Sequence, residues 1–173
     1  MPNMSSADKP RTIPPLAAAL AWILPGAGHW YLGRRVRAVI LFLAIHGLFW
    51  AGVGVGGVFT MNPREELWWS RAQFCTGASG VISWLRQDRT YAEVVKDAIP
   101  SGARLTVEQR ADAIGAELAR RDLALVPPGG DIALVFSGVA GMLNLMAAFD
   151  ALMLSLMGRY GEPDQSPRRE VPA

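Results

Sequence analysis

Four apolar stretches, set apart by short polar turns and one long polar insert, organise the chain. Residues 38–60, AVILFLAIHGLFWAGVGVGGVFT, carry no formal charge, and residues 132–157, IALVFSGVAGMLNLMAAFDALMLSLM, carry only Asp150. At about 1.5 Å per residue, either stretch is long enough as a helix to cross a hydrocarbon core of roughly 30 Å. Residues 15–33 form a third apolar stretch, interrupted by Pro25, Gly26 and Gly28. Residues 67–85, LWWSRAQFCTGASGVISWL, are diluted by Arg71, Gln73, Thr76 and two glycines, and admit spanning, re-entrant and interfacial readings. Trp68, Trp69 and Trp84 stand at the two ends of that stretch, where amphipathic rings favour the headgroup level, and this favours spanning. The expected fold is all-α: an integral membrane helical bundle with about four transmembrane segments, 15–33, 38–60, 67–85 and 132–157.

Between the third and fourth segments, residues 86–131 are polar, with seven Lys or Arg against seven Asp or Glu before Asp131. This water-exposed insert has a helical part, 90–123. Thr90 with Glu93 and Thr106 with Gln109 both have capping-box spacing, and Pro100 marks a stop between them. Val107, Ala111, Ile114 and Leu118 then recur at helical spacing, giving one apolar face on a charged helix. Residues 1–14 and 158–173 are polar and proline-rich, so both are expected to be disordered tails flanking a single membrane domain, 15–157.

Composition agrees with a bilayer setting: 51% of the 173 residues are hydrophobic and mean hydropathy is +0.20 despite the polar tails. Basic and acidic residues nearly balance at a net charge of +2, and no basic stripe marks a nucleic-acid partner. A single cysteine, Cys75, excludes an internal disulfide and any multi-cysteine metal site. With four spans, Arg34, Arg35 and Arg37 share a tight turn on the same side as the insert, and the positive-inside rule makes that side cytoplasmic. Helix count and sidedness are linked, because the insert changes face if 67–85 does not span. A removable signal peptide is the rival reading of the first stretch. The arginine turn followed at once by another long apolar segment fits a helical hairpin better.

Residues 25–35, PGAGHWYLGRR, read position by position as the end of a membrane helix. Pro25 kinks it, while Gly26 and Gly28 remove bulk for close helix contact, to which Gly52 and Gly56 on the next segment offer a matching small-residue pair. Trp30 and Tyr31 belong at the interface, Gly33 suits a left-handed helix C-cap, and Arg34, Arg35 and Arg37 anchor the turn to anionic lipid. In 140–151, AGMLNLMAAFDA, Gly141 belongs to a small-residue stripe that packs helices.

These two motifs carry a resemblance. PGxGHxYLGR followed by AGxLNLxxxxDA resembles a family of uncharacterised bacterial multi-pass membrane proteins, and the first motif is similar to the signature of the two-transmembrane-helix domain. The resemblance implies a multi-pass protein of a bacterial inner membrane and leaves its biochemical role open.

Polar groups inside apolar segments are the remaining functional pointers, since lipid tolerates them only when paired or hydrated. They are His29, His46, Asn144 and Asp150. With four spans, segments two and four run parallel, which brings His46 and Asn144 to similar depth and puts His29 and Asp150 near opposite interfaces. Interhelical hydrogen bonding is the favoured reading. The alternative is a small transporter or ion-conducting subunit using His46, Asn144 and Asp150. Enzymatic signatures are absent from the sequence, and GVGVGG at 52–57 lacks the strand and Lys of a nucleotide loop. The expectation is a non-enzymatic structural or interaction component without cofactor, metal or nucleic acid. Its partners are the lipid bilayer and other membrane proteins or further copies of itself.

Overall fold

A computed structural model describes residues 13–61, 67–123 and 129–162. Most of both expected tails, and Pro127 and Pro128 at the end of the insert, lie outside the described residues. Within them the fold is all-α: α1 (Pro14–Ile23), α2 (Ala27–Tyr31), α3 (Arg35–Gly56), α4 (Leu67–Phe74), α5 (Ala78–Ala98), α6 (Val107–Arg120) and α7 (Gly130–Leu156), with a 3-10 turn at Val58–Thr60. Two helices, α3 with 22 residues and α7 with 27, are long and apolar enough to cross a membrane.

α3 and α7 form the spine, and they run antiparallel. The C-terminal end of α3 lies against the start of α7: a Cβ on Gly52 would lie 2.8 Å from the Ala133 carbonyl oxygen and 2.9 Å from the Ser137 nitrogen. At the other end, Arg37 at the start of α3 pairs with Asp150 near the end of α7. Between these contacts Ile45 and Phe49 pack on Ala140 and Ala147. Gly52 and Gly56 do act as a close-packing pair, but their partner is α7 and not the PGAG stretch.

Residues 15–33 do not form one kinked helix. α1 ends at Ile23, Pro25 follows, and Gly26 takes a left-handed φ of 86° that a side chain would disfavour. The chain then reverses, so α2 lies back along α1. A Cβ on Gly28 would overlap the Ala17 carbonyl and approach Ala21 and Ala151 within 2.7 and 3.1 Å. The hydroxyl of Tyr31 accepts the Ile13 N–H at 3.3 Å, which ties the two arms together at their open end. Gly33, with φ 79°, ends α2 as expected: the Arg34 N–H reaches the His29 carbonyl and the Gly33 N–H the Trp30 carbonyl, both at 2.9 Å.

Residues 67–85 break in the same manner. α4 stops at Phe74, the Thr76 hydroxyl turns back onto the Gln73 carbonyl, and Gly77 adopts φ 69° and ψ −122°, a conformation suited to glycine. α5 returns beside α4: a Cβ on Gly80 would lie 3.1 Å from the Phe74 Cα, and the rings of Phe74 and Trp84 are 6.1 Å apart. At about 1.5 Å per residue, the eight residues of α4 cover roughly 12 Å, well short of a crossing.

α5 continues without interruption to Ala98, which places Thr90 inside a helix and leaves it no capping role. The expected capping box at Thr106 and Gln109 is present, with reciprocal bonds of 3.2 and 2.9 Å. α5 and α6 pack through Val94, Leu118 and Phe59 of the 3-10 turn. Val107, at the start of the expected apolar face, stays exposed. Residues 158–162, expected to be part of a disordered tail, are tied to the end of the first hairpin and to the start of α3. The Gly161 N–H bonds the Leu32 carbonyl at 2.9 Å, and Glu162 accepts the Val36 N–H at 2.8 Å.

Candidate functional site, a polar seam along the inner face of the last helix

α7 turns its small residues inward: Ala133, Ser137, Gly138, Gly141, Ala148 and Ala151 are all buried. Because little side-chain bulk stands on that face, backbone from three other elements approaches it. A Cβ on Gly141 would overlap the Ala72 carbonyl, and one on Gly138 would sit 2.5 Å from the Trp69 ring. α4 thus lies on the N-terminal half of α7 and α1 on the C-terminal half. Their C-terminal ends meet beside Asn144, where Gly77 faces the carbonyls of Trp22 and Ile23.

Asn144 is fully buried at this junction, and its amide nitrogen donates to the Trp22 carbonyl and to the Cys75 carbonyl, each at 2.9 Å. The arrangement has an electrostatic reason. Helix C-termini carry unsatisfied carbonyls and partial negative charge, so two ends brought together repel unless a donor stands between them. One side-chain amide with two N–H groups supplies donors to both.

His29, Arg37 and Asp150 converge at the C-terminal end of α7. His29, fully buried, donates from Nε2 to Asp150 Oδ2 at 2.7 Å, and Arg37 Nη2 reaches the same oxygen at 3.0 Å. The opening motif and the AGMLNLMAAFDA motif are therefore two halves of one contact: Gly28 on Ala151, His29 on Asp150, and the carbonyl of Trp22 on Asn144. The other end holds a polar cluster that sequence reasoning missed. Gln73 Nε2 donates to the Thr60 carbonyl at 3.0 Å and to Ser137 Oγ at 2.6 Å, and Ser137 Oγ donates to the Ala133 carbonyl at 2.7 Å. Gln73 counts in the sequence only as a residue that dilutes an apolar segment. Its partners are a side chain and a backbone carbonyl distant along the chain, and no spacing rule announces them.

Two expected placements change. The four-span expectation puts His29 and Asp150 near opposite interfaces, yet they touch, because residues 67–85 turn back at Gly77 and α7 runs antiparallel to α3. For the same reason His46 and Asn144 do not pair: the His46 ring stacks on Phe42 at 4.3 Å, one turn earlier on its own helix. Of the expected interface anchors, Trp30 is exposed with the Arg35 guanidinium 5.9 Å from its ring, while Arg37 serves as the ion partner of Asp150. Among the described residues, no three His, Cys, Asp or Glu side chains converge as a metal site would require.

The chain belongs to a family of unknown function, DUF6677, whose model matches residues 16–163. Apart from the first two residues of α1, both hairpins lie inside the matched residues, as do the charged helical pair and the whole polar seam. No curated protein and no solved structure matches the chain.

Proposed function

We propose that this member of the family is a multi-pass protein of a bacterial inner membrane. In this reading α3 and α7 cross the bilayer, while α1–α2 and α4–α5 insert as hairpins from opposite faces. Its role is structural or interactive, without catalysis of its own, through contacts with other membrane proteins or further copies of itself. The observation that carries the bilayer reading is an inverted distribution of polarity. Leu43, Met146 and Phe149 point outward with 64%, 69% and 63% exposure, while His29, Gln73, Ser137 and Asn144 are fully buried. Only 22% of the apolar window of α3 and 44% of that of α7 is buried, which does not suit the core helices of a water-soluble fold. At about 1.5 Å per residue α3 reaches roughly 33 Å and α7 roughly 40 Å, sufficient to cross with some tilt.

Irregular backbone at membrane depth is tolerated only where protein satisfies it, and Asn144 does this for both hairpin tips. That supports the structural role over conduction. The Asn144 donors, the shared Asp150 oxygen and the Gln73 amide nitrogen are each engaged by another part of the same chain.

With two spans, the Arg34–Arg37 turn and the insert lie on opposite faces, whereas four spans would put them on one. The arginine turn is cytoplasmic by its dense positive charge in a short loop. A membrane-impermeant thiol reagent distinguishes the arrangements in a Cys75→Ala background carrying Arg35→Cys or Ser101→Cys. Labelling from opposite sides of sealed membranes is expected, and labelling of both from one side would overturn the hairpin topology. Purification in native lipid tests the interaction role: a stoichiometric partner or a defined oligomer is expected, and a lone monomer at native expression would contradict it.

A further inference from the structure

We propose that the groove between the first hairpin and α3 binds one acyl chain of an anionic phospholipid whose headgroup is held by Arg34 and Arg35; this rests on the membrane reading above. The groove is about 550 Å³ and its walls come from Leu24, Pro25, Ala27, Trp30, Val39 and Phe42, among others, with no charged or amide side chain in the lining. It exists because the hairpin touches α3 closely at one point. A Cβ on Gly26 would overlap the Ala38 carbonyl, and Pro25 turns the chain away beside that contact. From Arg35 to Phe42 the groove follows α3 inward for roughly 10 Å, the direction a lipid chain takes from its headgroup.

Charge complementarity identifies the occupant. At the outer end of the groove Trp30 is 55% exposed and the Arg35 guanidinium stands over its ring. Arg37 and His29 are engaged by Asp150, and Glu162 is engaged by the Val36 N–H. Among the described residues, no carboxylate lies within ion-pair distance of Arg34 or Arg35, and the buried Nε of Arg34 has no partner. These two cations stand where the turn enters α3, beside the single Glu162 carboxylate on the Val36 N–H, and leave a net positive charge at the mouth of the groove. A zwitterionic headgroup leaves that charge unanswered, whereas phosphatidylglycerol or another anionic headgroup neutralises it.

Tryptophan quenching by chain-brominated lipid tests this with the full chain in phosphatidylcholine vesicles. The part of the emission due to Trp30 is the difference between the native chain and Trp30→Phe. Brominated phosphatidylglycerol is expected to half-quench Trp30 at a mole fraction roughly tenfold below that needed with brominated phosphatidylcholine. The double variant Arg34→Gln/Arg35→Gln should lose this preference while the two lipids still quench, and Ala27→Leu, which fills the groove, should weaken quenching by both. Equal quenching by the two lipids in the native chain, or a preference that survives the double variant, overturns the proposal. If the chain stays outside the vesicles and neither lipid quenches any tryptophan, it is the membrane reading that fails.

Discussion

The hairpins α1–α2 and α4–α5 reach the same point beside Asn144 from opposite ends of α7, but they are closed by different chemistry. The first is short and self-contained. Gly28 lets α2 lie on α1, Tyr31 ties its mouth, and His29 fixes it to the spine through Asp150, whose carboxylate Arg37 of α3 also holds. The second is closed by neutral groups, the Gln73 amide, the Ser137 hydroxyl and the Thr76 hydroxyl, and its returning helix runs on into the charged pair α5–α6. The ionic closure stands at the half-exposed end of α7, where Asp150 keeps 36% side-chain exposure, whereas Gln73 and Ser137 are fully buried. Charge is used where water can share its solvation, and neutral hydrogen bonds are used deeper, as desolvation costs require.

Bulk at the hairpin contacts should break this comparison most severely. Gly141→Leu drives a side chain into the Ala72 backbone and should displace α4, while Gly28→Leu does the same to α1 through the Ala17 carbonyl. Each is expected to destabilise by roughly 3 kcal/mol or more, because backbone cannot give way as a flexible side chain can. Thermal unfolding in detergent checks this against Gly47→Leu, where nothing lies within 4 Å and little change is expected.

Removing the shared donor separates the hairpins from the spine with a smaller effect. Asn144→Leu leaves two part-buried carbonyls without this donor, an expected loss of about 1–3 kcal/mol, and should increase labelling of Cys75 at the second tip by a thiol reagent. Asp150→Asn, which weakens the His29 contact of the first hairpin and the Arg37 contact within the spine but leaves the second hairpin untouched, should cost about 1–2 kcal/mol and leave Cys75 labelling unchanged. Equal labelling in the two variants would show that the tips are not independently anchored.

The smallest expected effect lies in the charged pair that extends the second hairpin. Hydrogen bonds from Arg120 and Arg121 hold the Glu117 carboxyl down to about 2. Arg121 also reaches Asp97 on α5, so Glu117 positions the cation that joins the two helices. Because the folded-state value is depressed, this contribution is complete above the ordinary value of 4.5 and is lost as pH falls from there to about 2. Hydrogen exchange in α6 should therefore accelerate over that window, the first hairpin should not respond through this group, and Glu117→Gln should remove the acid dependence.

Legibility differed between the hairpins for physical reasons. The first could be read as a sequence of specialised residues, with Pro25 as breaker, Gly28 as contact and Gly33 as cap, because each acts through its own local stereochemistry. What could not be read was the reversal: a kink and a hairpin share the same local signals, and only the surfaces of α1 and α7 select between them. The second hairpin was harder. Its breaker is a single Gly77 in a stretch with tryptophans at both ends, and Thr90 imitates a cap that the continuous α5 does not use. Gln73 was misread since its value comes entirely from Ser137 and Thr60, far away along the chain.

By itself the sequence determined the elements: two long apolar helices, two interrupted apolar stretches, a charged helical insert with its Thr106 cap, and two motifs rich in small and polar residues. Those follow from periodicity, length and conformational preference, which are properties of neighbouring residues. The tertiary structure decided the direction of α7 relative to α3, and with it every polar partnership, because direction depends on whether residues 67–85 cross or turn back. That choice rests on the fit of α4 against Gly138 and Gly141 and on one buried amide that joins two helix ends. Neither is visible until distant segments occupy the same space.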